Sequence, residues 1–249
     1  MIKVGRSGAV LHLTLNRPGK RNAISGAMVS ELTAAFQESA QDEDLRVVLI
    51  RGEGPDFCAG MDIAELSETA DAGVAEHRES ASNLAELYRA MRRHPRPVVA
   101  AVRGRALGGG CGLAMASDVV IASERAQFGF PEVKIGFVPA IVMSLLRRSV
   151  GEKRAFDLLT SGDSLGAREA FEIGMITRVC ADAEFDTAVE AYASRLAETS
   201  ATAVGMTKKL LYSIDGMSFD AAMDAGVQMN ALARMTDDAR RGFERFGKK

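Results

Sequence analysis

Apolar positions recur along this chain with two different periods. Residues 2–4 and 9–15, the latter reading AVLHLTL, alternate and predict a β-hairpin closed across Gly5–Gly8. NRPGKRNA at 16–23 is turn chemistry. In 26–41 the period lengthens, with Met28, Leu32, Ala35, Phe36 and Ser39 on one face of a predicted helix. Three short β-branched runs follow: VVLI (47–50), VVAAV (98–102) and VVIA (119–122). Their unbroken apolar character predicts strands covered on both faces. Between the first two, Leu84, Leu87, Tyr88 and Met91 mark the apolar stripe of a long helix stopped by Pro95. Beyond residue 138 helices dominate, at about 139–148, 151–159, 166–172, 184–198, 202–213, 218–232 and 237–246, with a brief strand at Ile176–Val179. Strands and crossover helices first, helices later, predict an α/β domain with a C-terminal helical region. No Pro/Ser-rich linker and no repeat of fixed period divides the chain.

The 249 residues are 47% hydrophobic and 26% charged, an ordinary globular balance with enough apolar material for a sizeable core. A net charge of −2 argues against nucleic acid as a partner. Cys58, Cys111 and Cys180 have neither disulfide-scaffold nor metal-site spacing and fit a reducing, cytoplasmic setting. The N-terminal segment lacks an apolar signal core, and no run of about 18 uncharged apolar residues predicts a membrane span. His12, His77 and His94 are scattered, with no HExxH, so neither a metal site nor a histidine-assisted nucleophile is expected.

The densest chemical signal is ALGGGCGLAMASD at 106–118, where a predicted strand turns through glycines into a helix. Such a turn aims free backbone N–H groups outward at a helix N-terminus, which suits an anion or a developing oxyanion. It matches neither the phosphate-loop pattern nor the dinucleotide fingerprint. The plainer alternative is close strand–helix packing. A second small-residue turn, PDFCAGMDI at 55–63, also follows a buried strand and opens toward a helix begun by Asp62. Two such corners can supply a pair of donors to one thioester carbonyl.

NRPGKRNA (16–23), DFCAGMDI (56–63), ALGGGCGLAMASD (106–118), FGFPEVKIGFVP (128–139) and SGDSLGAREAFEIGMITRV (161–179) together resemble the crotonase superfamily, the enoyl-CoA hydratase/isomerase family, in order and spacing over nearly the whole chain. The resemblance implies a spiral of ββα units over 1–195, forming the acyl-CoA-binding catalytic domain. It implies a helical oligomerisation region over 196–249 that builds a homotrimer or a dimer of trimers. It also implies a coenzyme A thioester as substrate, with no separate cofactor. Met61 and Gly109 correspond to the two oxyanion-hole N–H donors, and Glu132 to a catalytic glutamate. Lys20, Arg21, Ala23, Ala59, Met61, Asp62 and Ile63 correspond to positions along the CoA path, as do Phe246 and Lys249 at the C-terminus.

The chain departs from the pattern at Gly112, where hydratases of the family usually carry a second glutamate. The features are similar to those of single-glutamate members such as 3-methylglutaconyl-CoA hydratase-like proteins. Hydration of a 2-enoyl-CoA is the leading expectation. Double-bond isomerisation, which needs one base, and non-catalytic acyl-CoA binding are the alternatives. A carboxylate introduced at 112 is expected to stand opposite Glu132. Local sequence alone also allows Glu132 to be a surface carboxylate, Asp62 a helix cap, Asp118 a loop brace and Cys111 a small core residue. Acyl specificity is expected to lie in residues 65–90 and 137–146, where FVPAIVMSLL is bulkier than the glycine-rich run of many hydratases.

Overall fold

The computed structural model describes residues 1–247. The chain opens with strands β1 (Ile2–Ser7) and β2 (Val10–Leu15), paired antiparallel as the alternation predicts. Helix α1 (Gly26–Ser39) starts at Ser25, whose hydroxyl accepts from the Met28 N–H and satisfies one orphan donor of the first turn. Strand β3 (Val47–Gly52) follows, then α2 (Ile63–Glu68), α3 (Val74–Arg93) and β4 (Val98–Val102). Next come β5 (Arg105–Leu107), α4 (Gly109–Ala116), β6 (Val119–Ser123) and β7 (Gln127–Gly129). The remainder is α5 (Ala140–Val150), α6 (Glu152–Ser161), β8 (Ser164–Gly166), α7 (Ala167–Glu172), β9 (Arg178–Cys180), α8 (Phe185–Ala197), α9 (Ala201–Ser213), α10 (Phe219–Arg234) and α11 (Asp237–Gly247).

The main sheet has the order β1-β2-β3-β4-β6-β9, parallel except for its first hairpin. A second sheet runs β5-β7-β8. Single bridges extend its pattern, joining Cys58 to Ala106 and Ile24 to Met61. Each of β2, β3, β4 and β6 is therefore followed by a short extended piece in a second layer before the chain returns through helices. This is the ββα winding that the resemblance implied. It leaves no fixed sequence period because the returning helices differ in length, 14 residues in α1, 20 in α3 and 8 in α4.

Burial explains the continuous apolar runs. In β3, Val48 and Ile50 face the core beneath α1, α3 and α4, while Val47 and Leu49 face Phe185, Val189 and Ala193 of α8. In β4, Val98, Ala100 and Val102 join the first core, and Val99 and Ala101 the second. Both faces are covered, so no polar alternation survives. In α3, Leu84, Leu87, Tyr88 and Met91 are the buried stripe at helical spacing.

Three strands, β5, β7 and β8, fall in stretches where the sequence reading predicted no strand. Each spans three residues, too few to display a period, and each exists through its pairing. The predicted strand at 176–179 is shifted to Arg178–Cys180. The domain boundary expected between 195 and 196 falls in the last turn of α8.

Helix α9 is tied to the α/β part by a buried polar knot. Lys208, 7% exposed, donates to Asp118 Oδ2 at 2.7 Å, to the Met91 carbonyl at 2.9 Å and to the Arg96 carbonyl at 3.2 Å. The Tyr212 hydroxyl donates to the other Asp118 oxygen, and the Val98 N–H donates to Oδ2 at 2.6 Å. Asp118 thus braces the start of β4, β6 and α9 together. Beyond this knot, Phe219, Met223 and Val227 line up on an exposed face of α10. No described helix is long and apolar enough to cross a membrane.

Candidate active site

The two glycine-bearing corners meet. The Cys58 N–H donates to the Arg105 carbonyl and the Leu107 N–H to the Cys58 carbonyl, lacing PDFCAGMDI to β5. The Ile24 N–H donates to the Gly60 carbonyl and the Asp62 N–H to the Ile24 carbonyl, lacing the same loop to the residues after NRPGKRNA. A Cβ at Gly60 would stand 3.9 Å from the Gly109 nitrogen, and one at Gly109 would stand 3.5 Å from Met61 Sδ. Among the described residues, neither the Met61 nor the Gly109 N–H has an intramolecular acceptor. Gly109 opens α4, so its N–H carries the positive end of that helix.

Glu132 comes to this corner from a one-turn 3₁₀ segment, Pro131–Ile135, after β7. Pairing of β5 with β7 sets Gly129 beside Leu107, and the Gly108 N–H donates to the Gly129 carbonyl at 2.8 Å. Glu132 Oε1 lies 2.6 Å from where a Gly108 Cβ would be. Gly108 has φ +48° and ψ −118°, a conformation open to glycine and strained for other residues. Glu132 Oε2 is buried and, among the described residues, has no hydrogen-bond partner. Burial raises the Glu132 carboxyl above the ordinary carboxylate range, opposed only by its own backbone N–H. An unpaired carboxylate with a raised pKa beside two free N–H groups has the makings of a proton-transfer site.

The expected second place for a carboxylate is filled. A Cβ at Gly112 would lie 2.5 Å from Tyr88 Cζ, closer still to the phenol oxygen, and 2.8 Å from Val142 Cγ1. The expectation that a carboxylate at 112 would stand opposite Glu132 therefore fails on space. Tyr88 itself is buried, and its hydroxyl donates to the Gly109 carbonyl at 2.8 Å. Burial, with Cys58, Cys111 and Glu132 close by, raises its pKa well above that of an ordinary phenol, so it is neutral. Sequence reading placed Tyr88 on the apolar stripe of α3, within the 65–90 stretch expected to shape the acyl pocket, and gave it no part at the glycine corner. The signal was a lone phenol on an otherwise aliphatic stripe, whose O–H must find a partner when buried.

The other residues from the sequence form one rim. Arg21 and Ala59 are joined by the Ala59 N–H to Arg21 carbonyl bond, with Lys20 and Arg21 exposed and Ala23 half-buried beside them. Asp62 caps α2 through Ala64 and pairs with Arg17 at 2.8 Å. The Arg17 bond holds its carboxyl below the usual range, so Asp62 braces the rim and is not poised for proton transfer. Ile63 is 59% exposed, a large apolar side chain next to Met61. Lys249 lies outside the described residues. Phe246 falls in α11, at a position whose side chain is also outside the described part. Cys58 and Cys111 are buried thiols, with Cys58 pushed up to about 12 by burial and Cys111 also raised. They are packing residues in their protonated form.

Cavities border Met61 and Tyr88. One of about 220 Å³ is lined by Met61, Val29, Glu76, Ser80 and Asn83. The other, about 330 Å³, is lined by Tyr88, Ala85, Ile141 and Leu145 together with the charged Arg89, Arg92, Arg148 and Asp215. Both draw on the segments expected to hold an acyl chain.

Comparison with known proteins points the same way. Residues 5–249 match the family described as enoyl-CoA hydratase/isomerase. A Thermus thermophilus protein, provisionally named an enoyl-CoA hydratase, is 36% identical over 100% of this chain and 98% of its own. The 2,3-dehydroadipyl-CoA hydratase of Escherichia coli is 34% identical, covering 98% of this chain and 94% of its own. The crystal structure of an enoyl-CoA hydratase from Mycobacterium smegmatis superposes with a TM-score of 0.94 at 31% identity, over 99% of this chain and 96% of that one.

Proposed function

This chain belongs to the enoyl-CoA hydratase/isomerase family, and we propose that it adds water to a 2-enoyl-CoA using Glu132 as the single carboxylate at the reacting carbons. The thioester oxygen accepts from the Met61 and Gly109 N–H groups. Glu132 takes a proton from water as the hydroxyl adds to C3, and the displaced π electrons pass to the thioester oxygen as an enolate. Glu132 then returns the proton to C2, so one water is consumed and one 3-hydroxyacyl thioester forms. The observation that carries this reading is the buried, unpartnered Glu132 oxygen beside free N–H groups. Each N–H donor is worth about 2.7–4 kcal/mol to an oxyanion transition state.

The test is loss of conjugated-thioester absorbance with crotonyl-CoA and longer or branched 2-enoyl-CoAs, with the hydroxyacyl product identified. Absence of turnover across that series would remove hydration. The lone carboxylate favours a second reading, isomerisation, because a 1,3-shift needs only one base to remove and redeliver a proton. Its mark is conversion of a 3-enoyl to a 2-enoyl thioester without hydroxyacyl product. Tight acyl-CoA binding without either product would favour a binding role.

In this reading the CoA moiety is the substrate handle; the exposure of Lys20 and Arg21 on the rim supports a contact with its phosphates. The apolar face of α10, with Phe219, Met223 and Val227 exposed, supports a trimer or a dimer of trimers. Light scattering at working concentration tests this, and a monomer would end it.

A further inference from the structure

Four relationships converge on the phenol of Tyr88. Its hydroxyl donates to the Gly109 carbonyl at 2.8 Å. The same oxygen lies 3.5 Å from where a Gly109 Cβ would be, alongside Met61 Sδ at the same distance. Its ring excludes any side chain at Gly112. The residue lies in the C-terminal half of α3, where it is buried and also borders the cavity lined by Ile141 and Leu145. Buried tyrosines usually satisfy their hydroxyl on any nearby acceptor. Here the acceptor is the carbonyl of the residue whose N–H faces the site.

That carbonyl already belongs to the first turn of α4, where it takes the helical bond from residue 113, so the phenol supplies a second donor to its free lone pair. The extra bond pins the peptide plane that joins Gly109 to Gly110, and so restrains from its C-terminal side a glycine whose donor N–H lies on the preceding peptide plane and which has no side chain to hold it. Gly109 is flanked by Gly108 and Gly110, so the segment has little intrinsic stiffness. An oxyanion donor works by being fixed before charge develops. A loose glycine turn defeats that, and the Tyr88 clamp restores it.

We propose that Tyr88 is a positioning residue for the reaction: it fixes the Gly109 donor through the Gly109 carbonyl and takes the volume that a side chain at 112 would need. The proposal rests on the oxyanion role given above to Gly109. It makes Tyr88 and Gly112 a matched pair, since a residue with a Cβ at 112 requires a smaller residue at 88.

The experiment uses the full-length protein and Tyr88→Phe, which keeps the ring and removes the hydroxyl. Enoyl-CoA turnover is measured with binding of a β-keto thioester, whose enolate absorbance reports polarisation by the same two donors. We expect kcat and the bound enolate fraction to fall about tenfold, the size of one lost neutral hydrogen bond, at nearly constant KM. Melting temperature is recorded alongside. Unchanged kcat and enolate fraction overturn the proposal. So does a lowered melting temperature with normal kcat for the folded enzyme, which marks the phenol as packing only. If the wild type shows neither turnover nor enolate absorbance, the oxyanion reading of Gly109 falls, and this proposal with it. For the paired volume, Gly112→Ala is compared in the wild type and in Tyr88→Ala. Its destabilisation should shrink in the second background, and an equal penalty in both overturns the pairing.

Discussion

Oε1 of Glu132 rests 2.6 Å from the position a Cβ would take on Gly108, so the carboxylate is seated directly against glycine backbone. Gly108→Ala should therefore push the carboxylate aside. The backbone conformation adds strain of about 1–3 kcal/mol for a non-glycine residue. The expected outcome is a folded protein with a lowered melting temperature and a larger loss in kcat than in KM. Unchanged kcat would mean that the carboxylate works from another position.

Glu132→Gln keeps the shape and removes the proposed base. Turnover of enoyl-CoA should fall by about 10²–10⁴-fold, the usual contribution of a general acid–base group. Thioester binding should persist, because the Met61 and Gly109 N–H groups are untouched. Steady-state kinetics and equilibrium binding of a substrate analogue check both halves. Near-normal turnover in a well-folded variant would leave the site without a base.

The raised pKa of Glu132 has a definite sign in both activity and stability. Activity requires the ionised form to accept a proton from water. The acid limb of the kcat/KM profile should then lie above the ordinary glutamate value of about 4.3 and vanish in Glu132→Gln. For stability, a carboxyl whose folded pKa is raised contributes favourably below its unfolded value, and that contribution is lost as pH rises through the folded value. Glu132→Gln should consequently melt higher than wild type at neutral pH, with the difference closing below the unfolded value. Parallel thermal melts across pH measure this.

Gly112→Glu should not create a two-carboxylate hydratase. Its Cβ would meet the phenol of Tyr88 and a methyl of Val142, both buried and the former held by its bond to the Gly109 carbonyl, and overpacking of this kind costs about 1–3 kcal/mol. The expected result is a lowered melting temperature and no gain in crotonyl-CoA hydration. A stable variant with higher activity would show that Tyr88 can vacate the space.

Lys208→Met should loosen the C-terminal helices from the α/β part. It removes three hydrogen bonds and leaves Asp118 without its buried ammonium. Breaking one side of a buried pair costs about 3–5 kcal/mol. The double variant with Asp118→Asn should lose less than the sum of the single changes, because the stranded charge is gone. Denaturant titration of the four proteins resolves the coupling.

Much of this molecule is legible in its residues taken in order. The apolar runs at 47–50, 98–102 and 119–122 are strands because both faces are covered, and unbroken β-branched sequence is the direct consequence. The stripe through Leu84, Leu87, Tyr88 and Met91 names the buried face of α3 for the same reason, one helical repeat at a time. The five ordered motifs named the family, and the glycine corners named the places where backbone N–H groups are left over. What only the tertiary structure decided is who shares a space. Strands β5, β7 and β8 are too short to carry a period and exist through partners distant in sequence. Glu132 reaches Gly108 because β7 pairs with β5, a contact that no local pattern contains. Gly112 reads in sequence as an omitted carboxylate, yet in space it is the clearance for a tyrosine 24 positions earlier on another helix. Local pattern records which face of an element is buried. The packing of one element against another, set by volume and by hydrogen bonds between distant residues, decides which side chain fills each place.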